Sequence, residues 1–161
     1  MIERSDFCGF PPPRPVTGHK GTFGHLSIVA GSAGYHGAAV LAARGAQRAQ
    51  PGLITLLTHE DVYLPVAAQL QAVMGHSFAT EPLLPENSTA VVVGPGLASG
   101  RIGEPLRRWV HRLWQESSLA VLVDASALPW LPPGPCPTNG VRVITPHPGE
   151  AATMLKVTPA E

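Results

Sequence analysis

Cysteine is nearly absent from this sequence: Cys8 and Cys136 are the two in 161 residues. They lie far apart and form no C-x-x-C pair, so the sequence offers neither a disulfide scaffold nor a structural zinc site. A reducing compartment, the cytoplasm, is expected. Charge is also scarce, with Asp, Glu, Lys and Arg making up 14% of the chain against about 25% in ordinary domains. Eleven basic and eleven acidic side chains cancel, leaving no global field to draw in nucleic acid or an anionic membrane. Any anion must therefore be held by local geometry. Long hydrophobic runs are missing as well. The longest uncharged stretch, residues 62–80, is broken by Pro65, two glutamines, His76 and Ser77, and no segment supplies the roughly 20 apolar residues of a membrane span. The first ten residues carry Glu3, Arg4 and Asp6 and do not read as a secretory signal.

Glycine and proline, in contrast, are plentiful. Seventeen glycines and 18 prolines are nearly twice the roughly 12% of an average chain, too many breaks for a helix bundle. With 44% hydrophobic residues, the composition still describes a folding chain, and the length suggests one domain. The segment Phe10-Pro11-Pro12-Pro13-Arg14-Pro15 is stiff and extended, because proline fixes φ and restricts the residue before it. It reads as an entry arm or linker over residues 1–18.

From Leu26 the chain alternates. Apolar runs of strand length occupy residues 26–30, 53–57, 90–93, 119–123 and 141–144; most are apolar on both faces, as parallel strands covered by helices should be. Helix-compatible stretches lie between them. Residues 37–50 are rich in alanine, with Arg44 and Arg48 one turn apart. Residues 60–73 are a weaker candidate because of Pro65. Residues 102–116 put Ile102, Leu106, Val110 and Leu113 on one stripe, with Glu104 and Arg108 spaced for an i,i+4 pair, and a last helix begins near Gly149. The alternation predicts an α/β fold with a mainly parallel sheet and helices on both faces.

In such sheets ligands bind beyond the carboxyl ends of strands. The first run is followed by Gly31, Gly34 and Gly37 in G-x-x-G-x-x-G spacing, which is neither the dinucleotide fingerprint nor a P-loop. It suits either a plain strand-to-helix turn or an anion site. The third run ends in Gly94-Pro95-Gly96-Leu97, a tight turn permitting close backbone approach. Asp124, at the end of the fourth, is suited to hold a metal ion, order a hydroxyl or cap the next turn. The fifth ends in Thr145-Pro146-His147-Pro148-Gly149-Glu150, where two prolines fix the backbone around an imidazole. Lys20 precedes the first run and is a candidate for phosphate. The remaining histidines show no metal-ligand spacing, and no nucleophilic triad can be drawn.

In their order, His19–Gly24, Val29–Ser32 with Gly34-Tyr35 and Gly37-Ala38, the helix Val40–Ala46, Val93–Leu97, Asp124-Ala125 and Ile144–Glu150 resemble the ADP- or ATP-dependent NAD(P)H-hydrate dehydratases, a branch of the ribokinase-like superfamily. The resemblance covers the chain from about residue 10 to its end and assigns residues 19–161 to a ribokinase-like domain. It implies a carbon–oxygen lyase that repairs hydrated NAD(P)H: the phosphoryl group of ADP or ATP, with Mg²⁺, activates the hydroxyl on the damaged ring, and phosphate is eliminated to regenerate the dinucleotide. By position, Ala38, Gly96 and His147 match family residues that contact the hydrated dinucleotide. Lys20, Gly31, Gly34, Gly37, Gly94, Asp124 and Glu150 are phosphate-contacting or site-lining candidates, and no metal ligand is assigned. A cytoplasmic homo-oligomer, tetrameric as family members often are, is implied.

The sequence also departs from the family pattern. Ser126 stands where the family commonly has a second acid, Gln50-Pro51-Gly52 replaces the usual A-G-x-G turn, and Ala98 follows Leu97 where glycine is frequent. Family domains continue past P-H-P-G-E to a lysine-glycine segment and a G-T-G-D loop whose aspartate acts as base. No Gly-Asp dipeptide occurs here and Lys156 is followed by Val157. The expectation is therefore the front portion of the fold, from a longer protein fused behind an NAD(P)H-hydrate epimerase domain, with a sheet edge and apolar helix faces left uncovered and with little or no turnover alone. Two alternatives stand beside it: a ribokinase-like kinase of a small alcohol such as a vitamin precursor, and a non-catalytic dinucleotide-binding or assembly module.

Overall fold

The computed structural model describes residues 13–135 and 139–158. Cys8, Cys136 and most of the proline-rich arm lie outside the described residues. Six strands form one sheet, β1 (His25–Val29), β2 (Leu53–His59), β3 (Met74–Phe78), β4 (Ala90–Val93), β5 (Ala120–Val123) and β6 (Arg142–Ile144). Their order across the sheet is β3-β2-β1-β4-β5-β6, and every neighbouring pair is parallel. The chain moves outward from β1 to β3, returns beside β1 as β4, and continues the other way. The five apolar runs are five of these strands to within two residues at either end. The sixth, β3, is an edge strand whose Phe78 alone is buried, so it carries no apolar run to betray it.

Among the described residues three helices lie between strands, α1 (His36–Ala49), α2 (Tyr63–Ala67) and α3 (Glu104–Glu116), and a fourth, α4 (Pro148–Leu155), follows β6. On α1, Ala39, Val40, Ala43 and Ala46 are buried while Arg44 and Arg48 are exposed; small side chains let this helix lie close on the sheet. The candidate helix over 60–73 shrinks to a 3₁₀ turn, Glu60–Val62, followed by five residues of α2. Pro65 is tolerated there because it falls in the first turn, where its missing N–H costs nothing. On α3 the stripe Leu106, Val110 and Leu113 is buried as expected. Among the described residues Glu104 and Arg108 form no ion pair; Arg112 instead reaches Glu81 at 2.7 Å.

Two apolar layers hold the sheet. On one face Val29, Val91, Val93, Val121 and Val123 pack against α3 together with Leu97 and Leu128. On the other, Ile28, Ile54 and Leu56 pack against α1 and α2. The second layer covers only half the sheet, because Leu26, Val92 and Leu122 remain half-buried and Leu41 of α1 is 70% exposed. Arg142 of β6 closes the other side: its guanidinium donates to the carbonyls of Trp114, Ser117 and Leu119, capping the last turn of α3.

Candidate functional site

The reversal of strand order between β1 and β4, which run parallel, opens a crevice at their carboxyl ends, the place where such sheets receive ligands. Four loops meet there. The β1–α1 and β4–α3 loops are stitched together by Gly31 N donating to Pro95 O at 2.9 Å and by Ser32 Oγ donating to Gly96 O at 2.6 Å. Gly96 has φ +69°, and a Cβ there would stand 2.6 Å from Tyr35 O and 2.8 Å from the Cβ of Ala38. Glycine is thus required twice over, by backbone conformation and by space. Gly96 and Ala38, implied by resemblance from distant parts of the chain, stand side by side. Gly34 and Gly37 are exposed beside them with open space around their Cα atoms. The N-cap of α1, Tyr35, makes no side-chain cap bond, which leaves early amides of that helix to an incoming acceptor.

Gly31 and Gly94 have a different role from the phosphate contact considered for them. Gly31 N is held by Pro95, and its carbonyl accepts from His59 N and Thr58 Oγ1. Gly94 N donates to Val29 O, and a Cβ at Gly94 would collide with Asp124 O at 1.8 Å. Both amides are consumed within the protein, so these glycines shape the crevice and offer no donor to a phosphate. Asp124 lies at the end of β5. Its carboxylate makes no cap bond to the turn that follows and instead accepts from Thr145 Oγ1 at 2.7 Å. It orders a hydroxyl, one belonging to the protein. An open groove of about 500 Å³ runs from Asp124, Pro95 and Ala38 along α1, past Leu41, Gly45 and Val92, to Ala49.

His147 is the N-cap of α4. Its Nδ1 accepts from Gly149 N at 3.1 Å and Glu150 N at 3.4 Å, while Glu150 Oε2 accepts from His147 N at 2.9 Å. With Nδ1 occupied as an acceptor, the neutral ring carries its proton on Nε2 and faces outward as a donor. The side chain is 68% exposed, with Glu150 Oε1 3.5 Å from Nε2. Glu150 is therefore engaged in the cap, and its negative charge orients the histidine instead of receiving phosphate. Lys20 does not join this cluster. It begins a 3₁₀ turn ahead of β1, with its carbonyl against Gly52 at the amino end of β2. The five residues of β1, about 16 Å of strand, separate it from the crevice.

Sequence reasoning passed over Ser32, Thr145 and the Asp61–Arg101 pair. Arg101 NH1 donates to both carboxylate oxygens of Asp61, at 3.1 and 3.2 Å, and ties the β4–α3 loop to the end of β2, where His59 contacts Asp61 at 3.3 Å. Ser32 could have been suspected from its place directly after Gly31. Asp61 and Arg101 are 40 residues apart and leave no local pattern. Among the described residues no group of three or more His, Cys, Asp or Glu side chains gathers to hold a metal ion, and no helix is long and apolar enough to cross a membrane.

Comparison with known proteins bears on the family and the fold. The NAD(P)H-hydrate dehydratase family matches residues 26–161. A bifunctional NAD(P)H-hydrate repair enzyme of Escherichia coli (strain K12) is 36% identical over 151 residues, an alignment covering 92% of this chain and 28% of that protein. The crystal structure of an ADP/ATP-dependent NAD(P)H-hydrate dehydratase from Bacillus subtilis, co-crystallized with ATP/Mg²⁺, superposes with a TM-score of 0.79 at 30% identity, over 94% of this chain and 54% of that one. A ribokinase-like superfamily protein from Enterococcus faecalis V583 shares the fold with a TM-score of 0.69 at 19% identity, over 88% of this chain and 51% of that one. This chain thus spans about half of these solved structures and less than a third of the bifunctional relative. By its sequence over residues 26–161 and its six-stranded parallel sheet, the chain belongs to the NAD(P)H-hydrate dehydratase family, with a ribokinase-like fold.

Proposed function

We propose that this chain provides the dinucleotide-holding side of an NAD(P)H-hydrate dehydratase. The observation that carries the reading is the apposition of Gly96 and Ala38 at the β1–β4 crevice, where the missing side chain of Gly96 lets the β4–α3 turn close against the start of α1. The substrate is hydrated NADH or NADPH. Its phosphates approach the early amides of α1, and His147 Nε2–H donates a hydrogen bond to it. Asp124 and Thr145 line the same carboxyl edge and fix the groove wall. The co-substrate is ADP or ATP: its phosphoryl group passes to the ring hydroxyl, and loss of phosphate with the neighbouring proton restores the double bond of the dihydronicotinamide. Mg²⁺ would be held by the nucleotide phosphates and one or two carboxylates, and would offset the phosphate charge there; Asp124 is a carboxylate at this edge.

The base expected from a G-T-G-D loop has no counterpart among the 161 residues, so binding is assigned to this chain and turnover is not. We read residues 1–18 as the junction to an epimerase domain, in keeping with the bifunctional relative, and the protein as a cytoplasmic homo-oligomer. Hydrated NADH added to the chain, with and without ADP and Mg²⁺, tests the reading. Saturable binding without turnover is expected. Turnover would show the chain to be catalytically complete, and absence of binding would sink the proposal.

A further inference from the structure

We propose that Ser32 is a positioning residue of this site, a role that rests on the dinucleotide reading above: its hydroxyl holds the Gly96 turn at the spacing from Ala38 that the ligand needs. Ser32 is fully buried. Its Oγ donates to Gly96 O at 2.6 Å and accepts from Ser99 N at 3.1 Å. Its own carbonyl accepts from Tyr35 N at 2.8 Å. The main chain of Ser32 thus starts the turn into α1, while its side chain crosses to the β4–α3 loop and fastens it on both sides of Leu97.

The consequence follows from what Gly96 is. Gly96 has no side chain to lock its peptide plane: the following amide, Leu97 N, donates to Gly94 O at 3.1 Å inside the turn, and the Gly96 carbonyl is held from outside the loop by Ser32 Oγ. The outer part of the same loop is fastened independently, by Arg101 on Asp61 and by Arg101 N donating to Ser99 Oγ at 3.2 Å. Losing the Ser32 hydroxyl therefore frees the Gly96 carbonyl and the Ser99 amide, while the Leu97–Gly94 turn bond and the Arg101–Asp61 pair keep the rest of the loop attached. A merely structural serine would lower stability without touching the ligand. Ser27 supplies that comparison: it is fully buried, its Oγ pairs with Ser88 Oγ at 2.8 Å, and it lies away from the crevice within β1.

The test is titration of the chain, Ser32→Ala and Ser27→Ala with hydrated NADH, alongside thermal melts and amide hydrogen exchange over residues 94–101. Ser32→Ala should raise Kd about tenfold and speed exchange at Ser99, while Ser27→Ala should lower Tm and leave Kd within about twofold. Should Ser32→Ala fail to fold, Ser32→Cys, near-isosteric with a weak donor, must show the same rise in Kd. Unchanged affinity in the folded Ser32 variant overturns this assignment and spares the dinucleotide reading. No binding by the unsubstituted chain overturns that reading, and this assignment with it.

Discussion

A side chain at Gly96 would meet two obstacles at once, a positive φ and the Tyr35 carbonyl 2.6 Å away. Gly96→Ala should cost about 1–3 kcal/mol of stability and abolish dinucleotide binding, measured by denaturant melts and by titration with hydrated NADH. A variant that binds normally would remove Gly96 from the site. His147 allows its two roles to be separated. Its Nδ1 caps α4, and caps contribute about 0.5–2 kcal/mol; its Nε2, 3.5 Å from Glu150 Oε1, lies on the exposed side of the ring. His147→Asn keeps a side-chain acceptor at the N-cap, so stability should stay near that of the parent while dinucleotide affinity falls; His147→Ala should lose both. Equal affinity in all three would remove the imidazole from the site. At this scale the sequence was partly legible. Gly96, Ala38 and His147 stood in recognisable segments, and the prolines around His147 announced a fixed backbone. That the amides of Gly31 and Gly94 are taken by Pro95 and Val29 was invisible, because those hydrogen-bond partners come from distant parts of the chain.

Among the elements, the buried strands read directly from their apolar runs, since a parallel strand covered on both faces has nowhere to put polar side chains. β3 escaped because one face of an edge strand is wet and its Gly75, His76 and Ser77 resemble a loop. β6 was legible as a strand, but the work of Arg142 was not. From β6 it reaches the carbonyls at the end of α3 and places its guanidinium 5.8 Å from the Trp114 ring. Helix C-termini favour cations, and the planar fork satisfies several carbonyls together. Arg142→Ala should therefore cost about 2–3 kcal/mol, because hydrogen bonds from charged groups contribute about 1.5–3 kcal/mol. It should also accelerate hydrogen exchange in β6 before the central strands. Arg142→Lys, with a single ammonium on a flexible stem, should recover only part of the loss. Full recovery by lysine would show that charge alone, and not the fork, holds α3 to β6.

For the molecule as a whole, the uneven cover of the sheet decides behaviour in solution. The face toward α3 is covered over its central strands by Leu106, Val110 and Leu113, whereas the face toward α1 leaves Leu26, Val92 and Leu122 half-buried, with Leu41 70% and Val143 41% exposed. Among the described residues β6 is the last strand on its side of the sheet, and it exposes Val141 beside Val143 on this face and Ile144 on the other. Contiguous apolar surface next to a free strand edge promotes association, and nearly balanced charge supplies little repulsion to oppose it. The alternation of runs and helices announced the α/β layering, but exposure of one half-face depends on which helix covers which strand, and that is a property of the assembled sheet. Light scattering should find the chain associating as concentration rises. Leu41→Glu combined with Val143→Lys places a charge on the helix side and on the edge side of the strip. Both positions are already exposed, so the change should alter stability by no more than about 0.5 kcal/mol while shifting the chain toward monomer. If association persists unchanged, contacts form elsewhere, and the groove between Leu84, Trp109 and Arg112 on the opposite face becomes the surface to substitute next.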